Sequence, residues 1–369
     1  EAPSLAIVTA LEDLGATVHL VAYYVSRPLA EHPNVVWHRV RKPLNADLLA
    51  EPLLAREGRR VARELSRTGA RIVVNGGNCA WPDVNWIHAV HAAWQRRDEH
   101  APLSFRLRAA GYKAKARRDE RRALSRARVV VTNSERAREQ VIADGRVRPD
   151  QVRAIYYGID PAVFHPPSVG ERADARKRLR WEPERKVALF IGALGHDRNK
   201  GFDLLFAAWQ ELCRDPEWDV DLAALGGGAE VAVWRARAEA EGLGQRIRML
   251  GRTKEAHDML LSSDLLLSPT HYEAYGLGVH EAICCGIPAF VTRTAGVAER
   301  YPPELSELLL DAPPTVADLI ERLRRWHGDR DGYHARLRSF SEQLRQRTWA
   351  DMARDMVAYI NEPNGNQSA

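Results

Sequence analysis

Short apolar runs recur along the whole chain with helical stripes between them, and this alternation constrains the fold more than any other feature. Ala127–Asn133 (ARVVVTN), Lys186–Gly192 (KVALFIG), Val220–Leu225, Ile247–Leu250, Leu265–Ser268 and Ile287–Val291 are too short for ordinary helices. Such runs suit strands that are buried on both faces. Between two of them, Phe202, Leu205, Phe206, Trp209 and Leu212 repeat at helical spacing. Strands alternating with helices imply parallel sheets covered by crossover helices. The fold class is therefore α/β, and ligands of such sheets sit beyond the carboxyl ends of the strands.

The first half of the chain carries a series of its own. Leu5, Val8, Leu11 and Leu14 share a helical face that Gly15 ends as a C-cap. Thr17–Tyr23, Val35–Val40, Arg71–Asn75, Val84–Val90 and Gln151–Tyr156 read as strands, with a helix around Leu53–Leu65. Ser134 caps the helix that follows Ala127–Asn133. Tyr156–Pro167 (YYGIDPAVFHPP) is too rich in proline and glycine for regular structure, so the two series divide there. A length of 369 residues is too great for one ordinary core and suits two domains. With one sheet in each, the cleft between them is the natural site. Thr348–Ile360 reads as a terminal helix.

Composition narrows the setting. A hydrophobic fraction of 45% supports folded domains, and no apolar run is long enough to span a membrane. No secretory signal is visible. The four cysteines are scattered and fit no zinc spacing, and the adjacent Cys284 and Cys285 suit core thiols. A reducing cytoplasm is the expected compartment. A net charge of +5 is compatible with an anionic ligand, an anionic membrane or nucleic acid.

Chemistry concentrates in Thr270–Gly286 (THYEAYGLGVHEAICCG), where a strand ends at Pro269, a loop runs to Tyr275 and a helix begins near Gly276. First-turn N–H groups lack intrahelical partners and carry partial positive charge, and glycine lets an anion approach them. Glu281 lies just inside this helix, off the stripe of Val279, Ala282 and Ile283, and Glu273 lies in the loop before it. Two carboxylates thus flank an anion position, and carboxylates accept well from paired hydroxyls. A nucleotide sugar, with hydroxyls on both sides of its phosphates, satisfies this pattern. The spacing alone also fits a surface acid and a glutamate that complements the helix dipole.

EAYGLGVHEAICCGIPAFVT resembles the signature of the retaining GT-B glycosyltransferases of family 4, the glycosyl transferases group 1. Glu273, Gly276, Leu277, Glu281, Ala282, Gly286 and Pro288 stand at positions of that pattern, and Tyr275 replaces its usual phenylalanine. VVVTNSERAREQVIADGRVRPDQVRAIYYGIDPAVFHPP resembles the family's domain junction. LFIGALGHDRNKGFDLLFAAW resembles its first C-domain strand, loop and helix, with LAALGGGAE and IRMLGRT as the next two segments. The resemblance implies a GT-B fold, two Rossmann-like domains facing across a cleft. Residues 1–165 would form an acceptor domain, 166–345 a nucleotide-sugar-binding domain, and 346–369 a helix crossing back to the N-terminal domain, with a polar tail.

The resemblance also implies roles. Glu281 binds the ribose hydroxyls, Glu273 binds hydroxyls of the transferred sugar, and the amides of Gly276 and Leu277 meet the phosphate or the sugar. Lys200 neutralises the diphosphate, and the backbone near Arg252 and Thr253 faces the base. His91 resembles the N-domain histidine near the reaction centre, brought over the donor by domain closure, and His88 competes for that role. Ala193 stands where the family usually has arginine, with Arg198 as a replacement charge. The chain begins at the helix that follows the family's first strand, so the N-terminal sheet is expected without that strand.

The implied activity is metal-independent, cofactor-free transfer of a sugar from a nucleoside diphosphate sugar to an acceptor hydroxyl, in glycan or glycolipid synthesis. A nucleotide-sugar-binding protein without transfer, or a GT-B epimerase or hydrolase, is the alternative. Expected partners are the nucleotide sugar, a glycan or glycolipid acceptor and an anionic membrane surface met through the basic stretch 105–128, with no nucleic acid. The expected location is the cytoplasm, peripheral on the inner face of the membrane.

Overall fold

The structure is a computed structural model that describes residues 2–12 and 15–362. The first part of the chain forms α1 (Ala2–Glu12), β1 (Val18–Ala22), α2 (Arg27–Ala30), β2 (Val35–Arg39), α3 (Asp47–Ser66), β3 (Val73–Asn75) and β4 (Val84–Trp86). Next come α4 (Leu103–Leu124), β5 (Val129–Thr132), α5 (Glu135–Ala143), β6 (Val152–Ala154), α6 (Val169–Leu179), β7 (Lys186–Ile191) and α7 (Phe202–Leu212). The rest forms β8 (Val220–Leu225), α8 (Val231–Ala240), β9 (Ile247–Gly251), α9 (Ala256–Ser262), β10 (Leu265–Ser268), α10 (Leu277–Cys284), β11 (Ala289–Thr292), β12 (Leu309–Leu310), α11 (Val316–Gly328), α12 (Arg330–Arg345) and α13 (Trp349–Asn361). These elements divide into two units. One holds Glu1–Ala93, Arg108–Gly158 and Arg347–Ala369, and the other holds Trp94–Leu107 and Ile159–Gln346.

The second unit is built on one parallel sheet in the order β12-β11-β10-β7-β8-β9. Its first strand, β7, lies in the middle, so the order reverses between β7 and its neighbour β10, with Leu265 opposite Ala188 and Leu267 opposite Phe190. The apolar runs of these strands are buried on both faces, and Trp209 of α7 is fully buried with its Nε1–H on the Val220 carbonyl at 3.3 Å. Asp264 fastens α6 to the sheet: it accepts from Arg172 at 2.8 Å, Arg176 at 3.1 Å and the Val187 amide at 2.8 Å. Cys284 and Cys285 are free thiols inside this core, and burial pushes both up to about 12.

The first unit carries two sheets where the sequence suggests one: β1 pairs with β2, and β3-β4-β5-β6 form a separate parallel sheet. Among the described residues β1 and β2 share no ladder with β3 or its neighbours. α1 packs on both halves. Ala6, Ile7 and Ala10 lie against Val84, Val129, Met352 and Met356, while Val8 clusters with Val25 and Leu29 beside β1 and β2. Gly15, at φ +66°, ends the α1 segment, and the Ala16 amide reaches the Leu11 carbonyl at 3.0 Å. Leu14 and the polar tail after Glu362 lie outside the described residues.

Two details place the remaining elements. The expected strand Val84–Val90 ends at Trp86, because the chain then turns to bury His88 against the Trp86 ring, 4.5 Å away. α13 belongs to the first unit and starts at a capping box of Thr348 and Asp351. Gly158 runs under that start, where a Cβ would fall 2.1 Å from the Thr348 carbonyl carbon.

Candidate active site

The loops leaving β7 and β10 are fastened to each other where the strand order reverses. Gly201, at φ +70°, lets the first loop press against the second: a Cβ there would lie 2.1 Å from the Pro269 carbonyl oxygen. The His271 amide donates to the Asn199 carbonyl at 2.8 Å, and the Asn199 side chain donates to the Tyr272 carbonyl at 2.9 Å. This interlock brings Lys200 to Glu273, with Nζ 2.5 Å from Oε2.

α10 starts beside that pair. Its N-cap Gly276 has φ +108°, and a Cβ would meet Val297 at 3.0 Å, so glycine is required on both counts. The Val297 amide holds the Tyr275 carbonyl at 2.7 Å and the Gly296 amide holds that of Glu273 at 3.1 Å, which fixes the loop. The first-turn amides at Leu277 and Gly278 have no intrahelical acceptor. The Tyr275 hydroxyl, absent from the phenylalanine of the family pattern, lies 2.7 Å from Nδ1 of the fully buried His280. Burial lowers His280 to about 3, so its neutral ring can pair with the hydroxyl.

Glu281 follows one turn after Leu277. Its half-buried carboxylate accepts no hydrogen bond and forms no ion pair among the described residues, and burial pushes it up to about 7. A ligand that donates hydroxyls to it would favour the ionised form.

The flanking residues are committed to the protein itself. Arg198, at φ +44°, places Nε 3.1 Å from Oε2 of the buried Glu230, and its guanidinium lies over Trp234. Its charge is therefore met internally. The three glycines after β8 pack backbone on backbone: a Cβ on Gly226 would lie 1.8 Å from the Gly192 carbonyl oxygen, and one on Gly228 2.1 Å from that of Leu194. Arg252, after the edge strand β9, covers Gly227, and Thr253 Oγ1 accepts from the Glu255 amide at 3.1 Å. Lys200, Glu273, Gly276 and Leu277 thus gather beyond the carboxyl ends of β7 and β10, with Glu281 one turn into α10, while Arg198, Arg252 and Thr253 lie on the loops after β7 and β9.

His91 belongs to the first unit, where the structure separates it from His88. His88 Nδ1 lies 2.6 Å from the Tyr157 hydroxyl, and burial lowers it to about 4. His91 is half-buried and lines a cavity, with Nδ1 3.0 Å from Oε1 of Glu120 and its amide on the same carboxylate at 3.0 Å. Glu120, 2% exposed, is the partner that sequence reasoning misses, because it sits in the charged run RRDERR. Its i, i+3, i+4 spacing with the buried Ala123 and Leu124 is the available signal. Among the described residues no group of three or more His, Cys, Asp or Glu is placed to hold a metal ion, and no helix is long and apolar enough to cross a membrane.

Comparison with known proteins covers both units. Residues 171–347 match the family described as glycosyl transferases group 1, and residues 5–163 match glycosyltransferase family 4. The lipopolysaccharide core biosynthesis mannosyltransferase LpsB of Rhizobium meliloti (strain 1021) is 31% identical over 151 residues, which are 39% of this chain and 41% of that protein. A D-inositol 3-phosphate glycosyltransferase of Rhodococcus jostii (strain RHA1) is 28% identical over 50% of this chain and 42% of its own length. The matched region thus spans about two fifths of these curated relatives. Among solved structures, Anabaena Alr3699/HepE in complex with UDP and glucose superposes with a TM-score of 0.69 at 18% identity, covering 98% of this chain and 96% of that one. WaaG, a glycosyltransferase involved in lipopolysaccharide biosynthesis, gives 0.72 at 17% identity, covering 98% and 95%. The fold is that of these GT-B proteins.

Proposed function

We propose, for a chain that belongs to the GT4-type GT-B glycosyltransferases, the transfer of a sugar from a nucleoside diphosphate to an acceptor hydroxyl with retention of configuration. The observation that carries this reading is the interlock at the reversal of strand order, which holds Lys200 and Glu273 together beside the start of α10.

Transfer breaks the bond between the anomeric carbon and the diphosphate oxygen, and the electron pair leaves on the phosphate. Stabilising that charge is the main demand. Lys200 and the amides of Gly276 and Leu277 supply the stabilisation, with a smaller share from Arg198, whose charge Glu230 already meets. Glu281 accepts from the ribose hydroxyls, Glu273 from hydroxyls of the transferred sugar, and the backbone at Arg252 and Thr253 faces the base. The acceptor oxygen bonds the anomeric carbon on the face the phosphate leaves, and its proton passes to the departing phosphate oxygen. His91 is assigned to the reaction centre, with Glu120 orienting its ring. No divalent metal is invoked, since a lysine and helix amides carry the counter-charge.

Relatives named for lipopolysaccharide core and for phosphatidylinositol dimannoside support a glycan or glycolipid acceptor, and a neighbour solved with UDP and glucose supports a nucleotide-sugar donor. A cytoplasmic location against an anionic membrane goes with that acceptor class. α4 and the residues just after it would provide the contact: Leu103 and Leu107 are each 66% exposed, and Arg122 and Arg126 form no ion pair among the described residues. Lys115, Arg118 and Arg121 are tied to acids, which keeps such docking weak and salt-sensitive. Salt-reversible flotation with phosphatidylglycerol vesicles tests it, and flotation equal to that with neutral vesicles would remove it.

A protein that binds a nucleotide sugar without transferring it is the second reading, favoured by Ala193 and by the commitment of Arg198 to Glu230. Turnover of labelled donors with and without acceptor separates the two. The first reading expects acceptor-dependent release of nucleoside diphosphate and a product with the donor's anomeric configuration. Tight donor binding with no turnover on any acceptor would leave the second.

A further inference from the structure

Gly276 joins the loop that carries Glu273 to the helix that carries Glu281, and with φ +108° and no Cβ it is a joint with little steric restraint of its own. The loop side of this joint is anchored: the amides of Gly296 and Val297 hold the carbonyls of Glu273 and Tyr275 at 3.1 and 2.7 Å. Across the joint runs a side-chain bond, between the Tyr275 hydroxyl and His280 Nδ1 at 2.7 Å. Tyr275 lies two residues after Glu273, and His280 lies immediately before Glu281. The bond therefore ties the backbone that bears one carboxylate to the backbone that bears the other, over the glycine between them.

Packing alone gives no reason for this pair. Tyr275 is 2% exposed and His280 is fully buried, with ring centroids 5.8 Å apart. Nε2 of His280 meets no hydrogen-bond partner among the described residues. A buried imidazole with one nitrogen unmet costs stability that an apolar side chain of similar size would not. Phenylalanine, the residue of the family pattern at position 275, would fill the same space and offer the imidazole nothing to bond. The hydroxyl is thus this chain's own addition, and it goes to the residue beside Glu281. Burial keeps the ring neutral, so the bond persists at neutral pH.

We infer that Tyr275 and His280 are positioning residues, whose bond locks the Glu273 loop against α10 and so holds the sugar and nucleotide ends of one donor in place together. A nucleotide sugar reaches both sides of the joint, whereas a nucleoside diphosphate without its sugar has no use for Glu273. The role toward a donor rests on the reading of Glu273 and Glu281 as ligands of the transferred sugar and the ribose. The lock on the Gly276 joint does not.

The test compares the full chain with Tyr275→Phe and with the double substitution Tyr275→Phe, His280→Leu. The single variant strands the imidazole, while the double variant removes both polar partners and should recover the melting temperature. Hydrogen exchange over residues 272–284 reads the joint, and calorimetry with UDP, UDP-glucose, GDP and GDP-mannose reads the two ends of the donor. We expect faster exchange confined to that stretch in both variants, nucleoside diphosphate affinity within about twofold of wild type, and a ratio of nucleotide-sugar to nucleotide affinity lowered about fivefold, as the loss of a hydrogen bond to the sugar would lower it. Unchanged exchange overturns the lock. Faster exchange with an unchanged ratio, or a double variant that recovers the ratio along with its melting temperature, makes the pair structural only and overturns the positioning role. Wild type that binds neither nucleotide sugar removes the transferase reading and this role with it. That failure shows in the wild type, whereas failure of the inference itself shows only in the variants.

Discussion

The Lys200 ammonium lies 2.5 Å from the Glu273 carboxylate, across the loops that follow β7 and β10. An arriving diphosphate must therefore draw Lys200 away from Glu273, or share it. Lys200→Ala should weaken nucleoside diphosphate binding by about 1.5–3 kcal/mol, the value of a hydrogen bond to a charged group. Glu273→Gln should leave UDP binding equal or tighter, because Lys200 is released, yet lower transfer from UDP-sugars. Calorimetry on the two variants checks both, and a Glu273→Gln protein that loses UDP affinity as Lys200→Ala does would break this picture.

Burial pushes the Glu281 carboxyl up to about 7, against 4.5 for an ordinary glutamate. A carboxyl raised in the folded state holds its proton there while the unfolded chain has lost it. Its contribution is fully present below the unfolded value and is lost as pH rises to the folded one, by up to about 3 kcal/mol. Glu281→Gln should therefore flatten the fall in stability between these two pH values. Hydroxyl donors favour the ionised carboxylate, so nucleotide affinity should rise with pH through neutrality and binding should release a proton. Titrations in buffers of different ionisation enthalpy read that proton directly. Proton uptake would contradict the assignment.

His91 and His88 should separate in mutagenesis. His91→Ala should cut transfer by about 10²–10⁴-fold, the range for a positioned proton-transfer group, and leave nucleotide affinity in place. His88→Ala takes one of two partners from the Tyr157 hydroxyl, which Asn133 also meets at 3.3 Å, and should cost about 0.5–1.5 kcal/mol of stability. Melting curves and rates together decide it; a His88 variant as stable as wild type would mean that its burial is not structural.

Transfer should persist in excess EDTA, since Lys200 and the first turn of α10 supply the counter-charge. Activity abolished by the chelator and restored by one divalent ion would assign that charge to a metal.

The parallel sheet of the second unit is legible in the sequence because its strands are buried on both faces and read as unbroken apolar runs, from Val187 to Val291. The first unit is harder. β3 and β4 are three residues each, and nothing in Thr17–Val40 reveals that β1 and β2 form a sheet of their own. Sheet order depends on pairing across the chain, which local periodicity does not carry. At the site, residues on α10 and its loop are close in sequence and could be grouped by spacing. The Lys200–Glu273 bond joins two separate loops and emerges only from the interlock of Gly201 with Pro269. Arg198 illustrates the opposite case: a free cation in the sequence becomes one held by Glu230, a residue that no spacing links to it.

The measurement that tests the central claim most directly is a calorimetric titration of UDP- and GDP-sugars into wild type and Glu281→Ala. The account predicts that at least one nucleoside diphosphate sugar binds the wild-type chain, and that the substitution weakens it by about 1–3 kcal/mol as hydroxyl partners are left unmade. Binding of equal strength to both proteins, or no binding of any nucleotide sugar at millimolar concentration, would contradict it.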